Sequence, residues 1–374
     1  MTLDLILIGY GNVARRFVTL LAEQRSALAR DLDLRVRVVG IATRRHGCVY
    51  GSSYVGSGFS RTLTAGRTDD GPPQGGHYAR SATLAFLREA LTKSRVAARQ
   101  GRLVVIETTT LDIARGEPAI RHIRSALAGG AHVVTANKGP AAFAHRALAR
   151  AAERADRRWL FEGAVMDGVP VFNLVRETLP AVKVLGFRGV VNSTTNFILT
   201  AMEQGQSFDT ALAEMQARGI AEADPSLDVD GWDAAAKTAA LANVLLGAGI
   251  TPHGVERHGI TPDAGRRAVE ARAAGRRLKL VASARRSGRR VTASVGLVEL
   301  PADDLLAGLE GQQNALILET DLLEEIAIVQ RSGSLTHTAY ALLSDLITIA
   351  RARPQSLRSA RGRRSPSRSG RRRP

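Results

Sequence analysis

Short apolar runs alternate with stretches of helical spacing through the first 150 residues. The run LDLILIG at 3–9 precedes NVARRFVTLLAEQRSAL, in which apolar residues recur every three or four positions. Further apolar runs occupy 34–43, 102–108 and 131–137, with helical stretches such as EPAIRHIRSALAGG between them. Strands that alternate with helices predict a parallel, doubly wound α/β sheet, and we assign residues 1–150 to this domain.

The pattern changes from residue 159 onward. The apolar runs at 159–165, 182–193, 290–300 and 314–330 are typical of strands of a second, mixed sheet, and segments at about 196–219 and 231–247 show helical spacing. This part predicts an α+β domain for catalysis and dimerisation over residues 151–335. We expect a last helix, 336–350, to return to the first domain.

Two segments lack a hydrophobic period. Residues 46–81 are dense in Gly, Ser and Thr, which predicts a long loop, either near the functional site or a tolerated surface insertion. Residues 351–374 contain ten arginines and no acidic residue. That composition cannot bury enough apolar surface to fold, so we predict a disordered basic tail.

Charge changes this picture only locally. The formal net charge is +17, but ten of the positive charges lie in the tail, so the rest of the chain is only mildly basic. The tail raises the alternative of a nucleic-acid-binding protein, although it contains no aromatic residue for base stacking.

Cysteine usage and hydropathy indicate the compartment. A single cysteine, Cys48, excludes an intrachain disulfide framework and fits a reducing environment. The N-terminus lacks a signal-peptide pattern, and no apolar run approaches the roughly 20 residues that a membrane helix needs. We expect a cytoplasmic protein with no membrane partner.

The sequence GYGNVA at 9–14 lies between the first strand and the first helix. In this context it predicts a Rossmann-type dinucleotide site. Glycines allow a tight turn and close approach of a pyrophosphate, while the helix N-terminus supplies N–H donors. A plain strand-to-helix turn is the alternative. We assign to the cofactor site Gly9, Gly11, Asn12, Val13 and Thr108.

The end of the second strand bears on cofactor choice. An NAD site usually offers an acidic residue here to the ribose, whereas this chain has Arg44 and Arg45. Arginine can pair with a 2′-phosphate, so we predict NADP rather than NAD, with a solvated arginine pair as the alternative.

The stretch AEADPSLDVDGWDAAAK at 221–237 combines five carboxylates with one lysine. Aligned as an EF-hand with Gly231 at loop position 6, it places Lys237 where calcium needs a bidentate glutamate, so that interpretation fails. Asp233 and Lys237 fall at i and i+4 on one face of an alanine-rich helix. We expect Asp230 to cap this helix and Lys237 to be a buried candidate for proton transfer. A solvated acidic loop is the alternative.

Four stretches carry a resemblance to a known family: ETTTLDIARGEPAIRHIRSALAGGAHVVTANKGP, FEGAVMDGVPVFNL, GVVNSTTNFIL and EADPSLDVDGWDAAAK. They resemble homoserine dehydrogenases. The resemblance implies reversible reduction of L-aspartate 4-semialdehyde to L-homoserine with NADPH or NADH, in the biosynthesis of threonine, methionine and isoleucine. It also implies a homodimer. A dehydrogenase of another amino-acid aldehyde on the same scaffold is the nearest alternative.

The resemblance implies site residues by their position in these motifs. Lys237 is similar to the catalytic lysine, with Lys138 as a second active-site lysine that also meets the cofactor. Asp233 is similar to the aspartate that orients the substrate, and Glu222 to the glutamate that holds its amino group. Further implied contacts are Asp228, Asn192, Ser193 and Thr194 for the substrate and Gly333 for the cofactor.

The FEGAVMDGVP motif is similar to a monovalent-cation site of the family. The matching positions are Glu162, Val165, Asp167 and Val169, and oxygen ligands would suit Na⁺ or K⁺. The alternative is that Glu162 is a buried acid satisfied by hydrogen bonds.

Overall fold

The first domain is built on a six-stranded sheet with the order β3-β2-β1-β4-β5-β6. The structure is a computed structural model that describes residues 1–43, 47–54, 78–217 and 224–352. The elements of this domain are β1 (Thr2–Ile8), α1 (Asn12–Glu23), α2 (Arg25–Leu32), β2 (Arg35–Thr43), β3 (Gly47–Tyr54), α3 (Tyr78–Lys93), α4 (Arg95–Arg99), β4 (Leu103–Glu107), α5 (Ala119–Ala128), β5 (His132–Thr135), α6 (Gly139–Ala155) and β6 (Trp159–Leu160).

All neighbouring strands of this sheet run parallel except β3, which is antiparallel to β2. Helices cover both faces, so the central strands are buried on both sides and read as continuous apolar runs. Every residue of β4 is buried, including Glu107 at its end. The predicted doubly wound Rossmann-type domain is therefore confirmed.

Two predictions for this domain are wrong in detail. The segment 46–81 was expected to be loop throughout, yet β3 occupies 47–54 and α3 begins at Tyr78. The edge position of β3 explains the missed strand, because one partner strand tolerates a Gly- and Ser-rich sequence. Residues 159–165 were expected in the second sheet, but β6 pairs with β5 in the first sheet.

The second domain contains a mixed sheet with the order β12-β11-β7-β9-β10-β8. Its elements are β7 (Val184–Val190), α7 (Ser193–Glu203), α8 (Phe208–Ala217), α9 (Ser226–Val229), α10 (Trp232–Leu245), β8 (Glu256–Arg257), α11 (Ala264–Ala273), β9 (Arg276–Ser287), β10 (Arg290–Pro301), β11 (Asn314–Thr320) and β12 (Glu325–Gln330), with short helical turns at Glu162–Ala164, Leu174–Thr178 and Pro252–Gly254. The predicted second, α+β unit with a mixed sheet is thus present.

Local chemistry explains the corrections in this domain. The segment 314–330 is a hairpin rather than one strand, since the chain reverses near Glu324, which adopts φ 56°. The expected helix at 196–219 is two helices, separated at Gly205 with φ 91°. Strand β9 was missed because four arginines at its two ends mask the apolar run LKLVASA.

A last helix, α12 (Leu335–Arg351), packs against α1. Its residues Leu342, Leu346 and Ile349 are buried in the same apolar cluster as Leu5 and Phe17 of the first domain. Ser334 caps the helix by accepting a hydrogen bond from the His337 N–H. None of the helices in the described ranges is long and apolar enough to cross a membrane.

A half-buried histidine in β5 predicts a pH dependence of folding. His132 accepts a hydrogen bond at Nδ1 from the Arg158 N–H. Burial, reinforced by Arg157 and Arg158, lowers the pKa of His132 from 6.5 to about 4. The unfolded chain therefore binds a proton between pH 6.5 and 4 that the folded chain does not, so stability must fall as the pH drops through this window.

We expect the His132→Gln variant to lose this contribution. Between pH 7 and pH 4.5 the wild type should lose roughly 1–2 kcal/mol more of its free energy of unfolding than the variant does. Urea unfolding at both pH values measures the difference. Equal losses in the two proteins would contradict the assignment.

Candidate active site

Helix α10 carries Asp233 and Lys237 toward the junction of the two domains. It begins after Gly231, whose φ of 78° allows the chain to turn sharply between α9 and α10. Alanines 234, 235, 236, 239, 240 and 242 are buried, so the helix packs closely on its neighbours. Asp233 and Lys237 point into one partly enclosed space, with side chains 16% and 15% exposed.

One carboxylate joins two lysines there. Asp233 Oδ2 lies 3.0 Å from Lys237 Nζ, and Asp233 Oδ1 lies 3.0 Å from Lys138 Nζ. Lys138 precedes α6 of the first domain, whereas the other two residues belong to the second domain. The ion pairs therefore place two ammonium groups, one from each domain, on a shared aspartate.

The start of α7 completes this cluster. Asn192 caps α7 by accepting a hydrogen bond from the Thr195 N–H, and its Nδ2 donates to Asp228 Oδ1 at 2.7 Å and Asp233 Oδ2 at 2.9 Å. Lys237 Nζ donates to the Val191 carbonyl at 2.6 Å. The structure thus brings together the residues that the sequence scattered over 138, 192, 228, 233 and 237.

The pKa values of the two carboxylates in the cluster are shifted in opposite directions. Burial opposes ionisation of Asp233, but Lys138 and Lys237 hold its pKa well below its usual range. Asp228 has a raised pKa because it is partly buried and faces the Asp233 charge. Burial opposes the charge on Lys237 as well, yet Asp233, Asp167 and Asp228 raise its pKa above the usual value. Lys237 is therefore an ammonium that can donate a proton.

The substrate-side prediction includes two further residues at the α7 start. Thr194 hydrogen-bonds to Asp228. Ser193 Oγ accepts a hydrogen bond from Asn314 Nδ2 at 2.8 Å, which ties the helix start to β11. Both residues lie beside the cluster, with their side chains already engaged by protein partners.

Two other acids of the 221–237 stretch, Asp230 and Asp224, lie in the turns around α9. Asp230 was expected to cap α10, but it follows α9, and Gly231 takes the cap position without a side-chain hydrogen bond. Because the chain reverses at Gly231, Asp230 lies one residue before the cap position of α10. Asp224 Oδ1 accepts from the Ser226 N–H at 3.0 Å and shapes the loop before α9. Glu222 lies outside the described residues.

The predicted cofactor cradle has the geometry of a dinucleotide turn. Gly9 adopts φ 88°, and a Cβ there would lie 2.8 Å from the Thr108 carbonyl oxygen. A Cβ on Gly11 would meet no atom within 4 Å, so this side of the turn is open to a ligand. Asn12 and Val13 begin α1, so no earlier turn of the helix offers a carbonyl acceptor to their N–H groups. These residues fit a pyrophosphate.

Thr108 lies against the glycine turn. Its N–H donates to the Ile8 carbonyl at 2.8 Å, and its Oγ1 donates to the Gly9 carbonyl at 3.2 Å. Arg44, on which the choice between NADP and NAD depended, lies outside the described residues, as does Arg45.

Comparisons with known proteins decide the family. Residues 9–162 match the family profile "Homoserine dehydrogenase, NAD binding domain", and residues 170–347 match the profile "Homoserine dehydrogenase". The chain belongs to the homoserine dehydrogenase family.

Relatives of this family align over most of the chain. The NAD(+)-dependent homoserine dehydrogenase of Pseudomonas canavaninivorans is 35% identical over 347 residues, which cover 92% of this chain and 95% of that protein. The homoserine dehydrogenase of Sulfurisphaera tokodaii is 33% identical, over 93% of this chain and 99% of its own length. A crystal structure of a homoserine dehydrogenase from Thiobacillus denitrificans superposes with a TM-score of 0.74 at 27% identity, over 98% of this chain and 76% of that one.

As a homoserine dehydrogenase, the chain is an NAD(P)-dependent oxidoreductase. The family assignment does not favour the two alternatives, a dehydrogenase of another aldehyde and a nucleic-acid-binding protein. The arginine-rich segment that suggested nucleic acid lies outside the described residues from 353 onward.

In this homoserine dehydrogenase, the first of the predicted cation positions is a buried acid. Glu162 is 3% exposed, and its carboxylate accepts three backbone N–H groups, from Val171 and Asn173 at 2.6 Å and from Phe172 at 2.8 Å. Three donors occupy most of the acceptor capacity of a carboxylate. Glu162 is therefore a buried acid whose carboxylate is satisfied by hydrogen bonds, and the cation site at Glu162, Val165, Asp167 and Val169 stays a prediction.

The other three predicted cation positions are two valines in apolar surroundings and one hydrogen-bonded aspartate. Val165 is buried in the main apolar cluster and Val169 packs against it. Asp167 adopts φ 49°, and its carboxylate accepts from Gln330 Nε2 at 2.9 Å and Thr338 Oγ1 at 3.1 Å. A Cβ on Gly333 would lie 2.7 Å from Asp167 Oδ2. The Asp167 side chain therefore holds the segment before α12, which includes the predicted cofactor residue Gly333.

Two groups of polar residues near the site were missed by the sequence analysis. Buried Asp345 accepts from the Glu162 N–H at 2.8 Å, and burial together with the Glu162 charge raises the pKa of Asp345 to about 7. Glu107 accepts from Thr135 Oγ1 at 2.8 Å, and Thr135 Oγ1 accepts from the Asn137 N–H beside Lys138. In both cases the sequence carries a signal that could have identified the residue, an acid at the end of or within an apolar run.

Proposed function

We propose that this chain interconverts L-homoserine and L-aspartate 4-semialdehyde, with Lys237 as the proton donor and acceptor, Lys138 as a second ammonium, and Asp233 holding both. The observation that carries this proposal is the shared carboxylate, 3.0 Å from each lysine, at the junction of the cofactor and substrate domains. The nicotinamide supplies or accepts the hydride at the carbonyl carbon.

The residues of the chain supply the proton and the charge. Reduction of an aldehyde places negative charge on its oxygen, which an ammonium group stabilises. The raised pKa of Lys237 keeps that ammonium protonated, so it can donate to the alkoxide and later be reprotonated from solvent. Lys138, on the nucleotide-binding side of Asp233, adds a second positive charge without leaving its ion pair.

Recognition of the amino acid follows from the remaining charges. The substrate ammonium needs carboxylates, and we assign this role to Glu222 together with Asp228, which is half-buried beside Asn192. The substrate carboxylate needs N–H donors, and the start of α7 at Asn192, Ser193 and Thr194 supplies a polar helix N-terminus.

The first prediction concerns the proton donor. Lys237→Ala should lower kcat for L-homoserine oxidation by about 10²–10⁴-fold, because it removes the general acid and base. The KM for the cofactor should change little. Steady-state kinetics with Lys183→Ala, an exposed lysine at the edge of the second domain, as the matched control measure this. Near-normal turnover of Lys237→Ala would refute the assigned role.

The second prediction concerns the cofactor. We propose a preference for NADP, supported by Arg44 and Arg45 after β2, although the similar Pseudomonas protein is named as NAD(+)-dependent. The value of kcat/KM for NADP⁺ should exceed that for NAD⁺ about tenfold, since a hydrogen bond to a charged group contributes on the order of 1.5–3 kcal/mol.

The Arg44→Asp variant should reverse this preference, whereas Arg35→Asp, at the exposed opposite end of β2, should leave it unchanged. Initial rates with both cofactors are the measurement. A wild type that prefers NAD⁺ would show that the arginine pair is solvated rather than bound to a 2′-phosphate.

We also propose that the chain forms a homodimer through the face of the second sheet that the helices leave open. A cavity of about 470 Å³ lies on this face, and its lining includes Arg188, Arg285, Glu319 and Glu325. Both signs of charge on one face suit a two-fold interface, in which each copy presents the same patch.

Sedimentation equilibrium at micromolar concentration should give twice the mass of one chain. Ser294→Arg should shift the protein toward monomer, because Ser294 lies in the cavity lining beside Ser283, and an arginine there would project a guanidinium into the proposed interface. Thr19→Arg, exposed on α1, is the matched control. A wild-type monomer, or a dimeric Ser294→Arg variant, would exclude this interface.

A further inference from the structure

A ladder of four side chains crosses the domain junction beside the two lysines. The guanidinium carbon of Arg257 lies 3.8 Å from the ring centroid of Trp232. The Trp232 ring meets His253 edge to face at a centroid distance of 5.2 Å, and His253 meets Phe143 at 6.1 Å. We call these four residues the Trp232 ladder.

The Trp232 ladder joins the helices that carry the reactive groups. Trp232 is the first residue of α10 and directly precedes Asp233. Phe143 lies in α6, five residues after Lys138. His253 stands between them, and its Nε2 lies 3.3 Å from the Ala114 carbonyl of the first domain. One histidine thus contacts both domains at the level of the lysines.

The outer end of the ladder is fixed to the turn before α10. Arg257 donates a hydrogen bond to the Asp230 carbonyl. The neighbouring Ile260 N–H donates to the Val229 carbonyl at 2.8 Å, and a Cβ on Gly259 would lie 2.3 Å from that same oxygen. The segment 257–260 therefore packs tightly on residues 229–230, and Trp232 is held from the Arg257 side as well as from the His253 side.

A second contact holds the far end of α10 to the same first turns of α6. Asn243, eleven positions after Trp232 in α10, donates from Nδ2 to the carbonyls of Ala141 and Ala142 in α6. Both ends of α10 are thus held to the first turns of α6, one end through Asn243 and the other through the Trp232 ladder. The ion pairs of Asp233 lie at the ladder end.

We propose that Trp232 and His253 are positioning residues that set the approach of Lys138 to Asp233 and Lys237. This inference rests on the proposed function of the two lysines. An aliphatic residue at 232 makes neither the cation–π contact with Arg257 nor the edge-to-face contact with His253. The start of α10 is then free to shift against α6. A shift of that kind separates the two ammonium groups that the reaction needs together.

The experiment compares variants of Trp232 and His253 in the full-length enzyme. Trp232→Leu and His253→Leu should each lower kcat for L-homoserine oxidation about tenfold or more, since a misplacement of 1 Å costs up to about 10²-fold. The KM for the cofactor should stay within about twofold, because the glycine turn lies elsewhere. Trp232→Phe and His253→Phe retain a ring and should recover most of the lost kcat.

Phe208→Leu is the matched control for lost packing. Phe208 begins α8 and packs against the main apolar cluster, and its replacement should lower the melting temperature while kcat at 25 °C stays near the wild-type value. If Trp232→Leu does not fold, His253→Leu decides the question, because His253 is exposed and its replacement leaves the core intact.

Two outcomes would overturn the inference. The first is that both leucine variants keep the wild-type kcat although their melting temperatures fall. The second is that the phenylalanine and leucine variants lose equal activity. A wild type that does not oxidise L-homoserine would instead contradict the proposed function, so the two failures are distinguishable.

Discussion

The site depends on one aspartate shared by two domains. Among the residues that the structure describes, Asp233 forms ion pairs with both lysines, which come from opposite sides of the domain junction. Without its charge, two partly buried ammonium groups would face each other with no carboxylate between them. The same carboxylate also accepts a hydrogen bond from Asn192, which caps α7. The Asp233 side chain therefore joins the two domains, balances the charge of the lysines and helps to orient α7.

Much of the fold and part of the site could be predicted from the sequence. The Gly9–Gly11 turn and the Asp233–Lys237 spacing are local patterns, and each is present as expected. The pairing of Lys138 with Asp233 joins residues 95 positions apart, and no periodicity encodes it. Strand β9 was missed because arginines at its ends outweigh its apolar centre.

Buried polar residues were the other gap in the sequence analysis. No local pattern shows that the Glu162 carboxylate accepts three backbone N–H groups or that Glu162 neighbours the buried acid Asp345. Composition gives no sign of which N–H groups will converge on an acid, because that depends on how the 162–173 segment folds back. The ladder around Trp232 cannot be read from the sequence for the same reason, since Phe143, Trp232 and the stretch that holds His253 and Arg257 are three separate segments.

Helix α12 has a consequence for how the chain assembles during synthesis. Leu342, Leu346 and Ile349 belong to the apolar cluster that also contains Leu5 and Phe17, and Arg16 Nε donates to Thr336 Oγ1 at 2.9 Å. The first domain to leave the ribosome thus lacks part of its core until residue 350 has been translated. Its nucleotide turn is built early, but the face behind that turn closes only after the second domain has emerged, so the two domains mature together rather than in order.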